Sequence, residues 1–357
     1  MDTSTPIFIL DGGLGTLLED KYNIKFNSAE TPLWSSHLLV TDQSTLAKGH
    51  RDFVAGGADV ISTATYQTSI DGFANTCTPD WPNGVPVSHI GSFLKDAVRL
   101  ASDAAQAKDG GKKVALALGP YGATMVPSQE YSGQYDQEHS SPDVLKAWHL
   151  QRLSVFTAIP RVWSDVAYIA FETIPRHDEI IAIRKTMEES KRQGLVPVST
   201  RFSISCVFPG DEKLMALPDG TPVEDAVCSM LSKVVSTAIP WMIGINCTKV
   251  SKLPALVNRF EEVVQRMLST GEIEDLPALV LYPDGTNGEV YNTTTQQWEL
   301  PAGKDAPKSS WESQLAGVVK STQARVKWPC IVVGGCCKAS PEDISRLRAI
   351  LLPSSNK

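Results

Sequence analysis

Eight short apolar runs rich in β-branched residues recur along this chain, each followed by a longer stretch with helical spacing. The runs are "IFILD", "DVISTATY", "KVALALGPYG", "DVAYIAFET", "VSTRFSI", "WMIGINC", "ALVLYPDG" and "CIVVGG". Each is nearly continuous in its apolar character. That is the pattern of parallel strands covered on both faces, not the alternation of a half-exposed sheet. The stretches between them carry helix signals. "DQSTLAKGHRDFVAGG" has a cap residue at Asp42 and stops at Gly56-Gly57. Ser141 and Ser340 each precede a proline at a first-turn position, and "RHDEIIAIRKTMEESKRQG" ends on Gly194.

Eight β-then-α repeats predict an α/β fold, a (β/α)8 TIM barrel that forms a single domain over residues 1–357. The chain is long enough for one large barrel. A doubly wound open sheet is the alternative, but "DGGLG" after the first run is not the G-x-G-x-x-G of a dinucleotide site. Two long loops stand out: "ATMVPSQEYSGQYDQEHSS" after the third run and "DGTNGEVYNTTTQQWELPAGKDAPKSS" after the seventh. In a barrel both lie on the face where active sites form.

Net charge is −7 with 20% charged residues, which argues against nucleic acid or an anionic membrane as a main partner. No apolar run reaches transmembrane length, and "MDTSTPIFIL" lacks the basic start of a signal peptide. Seven cysteines are too few for a disulfide scaffold in a chain this long. A reduced, cytoplasmic setting is therefore expected.

Cysteines and acids cluster at the ends of the runs. Cys247 ends "WMIGINC", and Cys336 and Cys337 follow "CIVVGG". In a barrel all three lie at the carboxyl ends of strands six and eight, where three thiolates can form a zinc site with one open position. Adjacent residues on a regular strand point to opposite faces, so both Cys336 and Cys337 can ligate one ion only where the strand has broken into a turn. Gly334 and Gly335 permit such a backbone. A Cys336–Cys337 vicinal disulfide and simple core filling are the competing readings. Core roles are expected for Cys77, Cys206, Cys228 and Cys330.

Asp11 ends the first run and Glu172 the fourth; two acids at one mouth suit an α-ammonium group, or alternatively the paired carboxylates of a glycosidase, or are ordinary caps. Gly12 and Gly13 offer backbone N–H groups to a carboxylate, or simply form a tight turn. Tyr66, Tyr121, Tyr131 and Tyr135 could hold a sulfonium or ammonium by cation–π attraction, or just pack a loop. His50, His149 and His177 are expected on helix surfaces, and no Ser-His-Asp or Cys-His arrangement can be assembled.

Taken in order, "LDGGLGTLLED", "ISTATYQTS", "ALGPYGA", "EYSGQY", "FETIP", "GINC" and "GGCC" resemble the homocysteine S-methyltransferases over nearly the whole chain. The resemblance is nearest the branch that uses S-methylmethionine or S-adenosylmethionine. It implies that Cys247, Cys336 and Cys337 bind Zn2+ and that Asp11 and Glu172 bind the amino group of L-homocysteine. It further implies that Gly12 and Gly13 take the carboxylate and that Asn246 braces the site. Tyr66, Tyr121 and Tyr131 are possible contacts for the sulfonium methyl donor. The expected activity is methyl transfer to the homocysteine thiol, giving methionine. The alternatives are methyl transfer to selenocysteine or another thiol, or a non-enzymatic redox sensor built on Cys336–Cys337. "YPDGTNGEVYN" departs from the compact Y-P-N-S-G-E pattern of many members, with Asp284 where Asn is common.

Overall fold

A computed structural model describes residues 5–27, 30–106, 111–157, 159, 162–210, 215–286, 288, 290–292, 297–299 and 309–353. Eight parallel strands form the core: β1 Ile7–Ile9, β2 Val60–Ser62, β3 Lys113–Leu118, β4 Tyr168–Ile174, β5 Arg201–Cys206, β6 Met242–Asn246, β7 Ala278–Tyr282 and β8 Ile331–Val333. Their order is β1-β8-β7-β6-β5-β4-β3-β2. A parallel bridge from Leu10 to Val60 joins the two ends and closes the ring. The Asp59 N–H to Ile9 carbonyl bond, 2.6 Å, and the Asp11 N–H to Val60 carbonyl bond, 3.1 Å, make that seam.

Each of the eight apolar runs overlaps one barrel strand, and β4 and β5 extend one and two residues past theirs. Helices lie between them: α1 Leu14–Tyr22, α2 Gln43–Ala55, α3 Val87–Gln106, α4 Pro142–Thr157, α5 His177–Arg192, α6 Val223–Leu231, α7 Leu253–Ser269, α8 Trp311–Arg325 and α9 Pro341–Leu351. Asp42 caps α2 by accepting the Thr45 N–H at 3.0 Å. Ser340 and Asp343 cap α9 reciprocally. Such caps satisfy N–H groups that have no partner inside the helix, worth about 1 kcal/mol each.

The strands bury both faces. One cluster fills the space between strands and helices, including Ile9, Ile61, Leu116, Ile169, Ile204, Ile243, Leu279 and Ile331. A second fills the barrel interior, with Leu10, Val60, Ala115, Tyr168, Ala170, Met242, Val280, Tyr282 and Val332. This two-faced burial is why the runs are continuously apolar.

Two expectations are corrected. His50 and His149 are fully buried, not on helix surfaces, and His177 is half-buried. Cys77 is exposed instead of in the core, and Cys228 is only half-buried, while Cys206 and Cys330 are buried. Of the long loop after β7, residues 287, 289, 293–296 and 300–308 lie outside the described residues; within it Val290–Asn292 pairs antiparallel with Gln297–Glu299.

Candidate metal and substrate site

Strands β6 and β8 flank β7, so their carboxyl ends stand two places apart on the barrel rim. Cys247 follows β6 with φ +45°, a left-handed conformation that turns the chain sharply off the strand. After β8 the chain breaks into a turn at Cys336 and Cys337, and Lys338 takes φ +64°. The left-handed residues are therefore Cys247 and Lys338. Gly334 and Gly335 serve a different need, which is space. A Cβ on Gly334 would lie 2.5 Å from the Leu10 carbonyl oxygen, and one on Gly335 would lie 2.0 Å from the Ala339 Cβ.

These turns bring the sulfurs of Cys247, Cys336 and Cys337 within 4.8 Å of one another. The Cys247 and Cys336 sulfurs are joined as a disulfide and Cys337 is free. A vicinal Cys336–Cys337 bond is thus not the pairing found: the partner comes from the other strand.

Burial pushes the Cys337 thiol up to about 11, Asp284 and Glu130 add to the shift, and the Tyr131 hydroxyl opposes it by hydrogen bonding. Such a thiol stays protonated at neutral pH unless a cation joins it. Three soft sulfur donors converging among buried acids suit a thiophilic metal ion.

The acids stand beside the thiols. Asp11, buried at the end of the first apolar run, accepts from the Ser62 N–H at 2.7 Å and the Ser62 hydroxyl at 2.9 Å. Burial nevertheless raises its carboxyl to about 7. Glu172 is also raised to about 7, first by burial and further by the charge of Asp11, against a hydrogen bond from Tyr282 and the charge of Arg152. Two neighbouring acids, one buried and one half-buried, that resist ionisation make a site that gains from a cation between them.

Glu172 sits where β4 loses register with β5, between Phe171 and Ile174. The next residue, Thr173, has φ +61° and is almost fully buried. A left-handed β-branched residue is costly and persists only where its surroundings hold it. Asn246 is that support. Its Oδ1 accepts the Thr173 N–H at 2.7 Å and its Nδ2 donates to the Thr173 hydroxyl at 2.7 Å. The same hydroxyl reaches the Cys247 sulfur at 3.9 Å. One asparagine thereby ties the Glu172 bulge to the first cysteine.

Gly13 is required by close approach: a Cβ there would lie 2.6 Å from the Cys336 carbonyl oxygen and 3.1 Å from the Cys337 Cα. Its N–H is committed to the Ala339 carbonyl at 3.0 Å. Gly12 packs equally tightly against Ala339. Tyr131 reaches Cys337, and Tyr66 lies within electrostatic range of Cys337, Glu172 and Glu130. Tyr121 is placed differently. Its hydroxyl donates to Asp136 and its ring stacks on His139 at 3.9 Å. Tyr135 donates to Glu179.

Sequence reasoning passed over Thr173, Tyr282 and Glu130. Tyr282 ends β7, so the strand-end logic applied to the other strands would have found it. Thr173 and Glu130 lie inside "FETIP" and "EYSGQY", but their roles depend on neighbours distant in sequence.

Fold and site together define a (β/α)8 barrel enzyme with a thiol cluster that can hold a metal ion at the carboxyl ends of its strands. The chain belongs to the homocysteine S-methyltransferase family, whose model matches residues 8–351. It is 28% identical over 353 residues to homocysteine S-methyltransferase 1 of Arabidopsis thaliana, covering 95% of this chain and 91% of that protein. It is 29% identical over 360 residues to the selenocysteine Se-methyltransferase of Brassica oleracea var. italica, covering 96% and 88%. The homocysteine methyltransferase MmuM of Escherichia coli superposes in its metallated form with TM-score 0.65 at 26% identity, covering 96% of each chain.

Proposed function

We propose that this chain moves a methyl group from a sulfonium donor, S-methylmethionine or S-adenosylmethionine, to the thiol of L-homocysteine, releasing methionine. The observation that carries the reading is the meeting of three cysteine sulfurs, two of them joined as a disulfide, with two acids at one barrel mouth. Asp11 and Glu172 bind the homocysteine ammonium, whose charge offsets the ionisation that burial resists. The Gly13 N–H is already committed, so the carboxylate falls to Gly12 and the first turn of α1, where helix N–H groups lack intrahelical acceptors. Asn246 holds Thr173, and through it the Glu172 bulge and Cys247, in place.

Cys247, Cys336 and Cys337 would hold zinc once the Cys247–Cys336 disulfide is reduced. When bound, zinc supplies the Lewis acidity that keeps a coordinating thiol deprotonated near neutral pH. In the transfer, the homocysteine sulfur forms a bond to the donor methyl carbon as the bond from that carbon to the sulfonium sulfur breaks. The electron pair of the broken bond returns to the donor sulfur, which leaves as a neutral thioether. No proton is delivered to the leaving group. The histidine at hand, His149, is accordingly tied to Glu179 at 2.9 Å instead of facing the thiols. The residues' work is proximity and orientation of two substrates. Thiols that must stay reduced fit a cytoplasmic place in methionine biosynthesis.

The test is a methyl-transfer assay with homocysteine against S-methylmethionine, S-adenosylmethionine and betaine in parallel, with metal analysis of protein purified under reducing conditions. Turnover with a sulfonium donor and one zinc per chain are expected. A clear preference for betaine overturns the donor class, and full activity without metal overturns the zinc role. The Brassica relative favours selenocysteine as a second acceptor; relative rates with homocysteine and selenocysteine decide between them.

A further inference from the structure

We propose that Glu130 is the counter-charge that selects a cationic methyl donor, its carboxylate facing the donor's sulfonium centre. This assignment rests on the sulfonium-transfer reading above and adds a specificity residue to it.

Glu130 lies in the loop after β3, on a backbone that is firmly held. The Gln129 N–H donates to the Gly122 carbonyl at 2.8 Å, and the Gly133 N–H to the Gln129 carbonyl at 2.8 Å. Arg176 grips the Gly133 carbonyl at 2.9 Å. A Cβ on Gly122 would approach the Glu130 nitrogen to 3.1 Å, so the two loop segments pack without spare room. The side chain on this fixed backbone is 9% exposed. Its Oε2 has no hydrogen-bond partner among the described residues. Its carboxylate does accept bonds from its own backbone N–H and from Ser128.

Three groups of the mouth sense its charge: the Cys337 thiol and the hydroxyls of Tyr66 and Tyr131. The carboxylate with the unpartnered oxygen is therefore within electrostatic range of one thiol of the metal cluster and of two tyrosine hydroxyls, and the neighbouring Tyr131 hydroxyl bonds to that thiol. That set matches the chemistry of a sulfonium. A sulfonium carries full positive charge but has no N–H or O–H to donate. It cannot satisfy an acceptor by hydrogen bonding. It is held by an opposite charge and by aromatic faces. The homocysteine ammonium, by contrast, has three donors to place, and Asp11 and Glu172 serve it.

The experiment compares two ligands of nearly equal shape. S-methylmethionine carries the sulfonium; 2-amino-5-methylhexanoate has a neutral CH in place of that sulfur. Dissociation constants for both are measured calorimetrically on the zinc-loaded wild type and on Glu130→Gln. The wild type should prefer the sulfonium by about tenfold or more, as expected for a close pair of charges out of bulk water. In Glu130→Gln the ratio should fall to within about threefold, while zinc content and the KM for homocysteine stay unchanged. A merely structural role would weaken both ligands alike and leave the ratio intact. An unaltered ratio in Glu130→Gln, or no preference in the wild type, overturns the assignment. If thermal melting shows that Glu130→Gln does not fold, Glu130→Ala is read by the same ratio. Failure of the wild type to transfer methyl from any sulfonium donor overturns the functional reading itself; an active wild type with an unchanged ratio in the variant overturns only the role of Glu130.

Discussion

Two buried glutamates border the same loop of this barrel and are treated in opposite ways. Glu179, on α5, is saturated with donors. The Tyr121 N–H and His149 Nε2 reach its Oε1 at 2.8 and 2.9 Å, and the Tyr135 hydroxyl donates to its Oε2. It binds the strand-three loop to α4 and α5. Glu130, on that loop, keeps an oxygen without a partner. The difference separates two uses of a buried charge. Saturated by donors, it belongs to the scaffold; left open, it is held ready for something that arrives later. Arg152 is also tied into the scaffold, its terminal nitrogens donating to the carbonyls of Gly119, Thr65 and Tyr66 at 2.7, 3.0 and 2.6 Å. Asp11 and Glu172 are a third case: Asp11 accepts from Ser62 and Glu172 from Tyr282, yet burial pushes both up to about 7.

Substitutions at the two kinds of position should damage different properties, and a substitution that damaged both equally would break the contrast. The largest effect on function is expected for Cys247→Ser: metal content and methyl transfer should fall to background, while the chemical denaturation midpoint of the reduced, metal-free protein hardly moves. The largest effect on stability is expected for Glu179→Ala, which strands three donors in the interior and should cost about 3 kcal/mol or more in urea unfolding.

Asp11→Asn comes next. It should raise the KM for homocysteine by roughly 10- to 100-fold, the worth of a charge-assisted contact, with zinc still bound. The same acids give a pH signature. The folded protein keeps protons on Asp11 and Glu172 up to about pH 7. The unfolded chain releases them near pH 4. The folded state thus binds more protons across that window, so stability should fall as pH rises from about 4 to about 7. Asp11→Asn and Glu172→Gln should each flatten the fall, read as melting temperature against pH in substrate-free protein. The smallest effect is expected for Tyr131→Phe, which removes one hydroxyl bond to Cys337 and should change stability by less than about 1 kcal/mol.

Much of this was legible in the sequence, for physical reasons. Strands buried on both faces have to be apolar throughout, so all eight were visible, and strand order and closure followed from the repeat. The cysteines were visible because "GINC" and "GGCC" end such strands. The glycines before Cys336 were legible as special, but they give room for Leu10 and Ala339 instead of a left-handed turn. What stayed hidden depends on contacts between distant segments. His149 is buried because Glu179 meets it thirty residues on, and nothing on its own helix announces that. Thr173 becomes a site residue through Asn246, and Glu130 through the ring of groups around Cys337.

The place of the thiols in the chain has a consequence for how the protein is made. Cys247 is synthesised with β6, but Cys336 and Cys337 come only with β8, the strand that zips β7 to β1. A ribosome that has reached β7 has produced both acids of the mouth, Asp11 and Glu172, and only one of the three sulfurs. The same event, docking of β8, closes the barrel and completes the thiol cluster. Metal loading would then report that synthesis has finished correctly, and a chain stalled or clipped before Cys336 would carry neither a closed ring nor a metal.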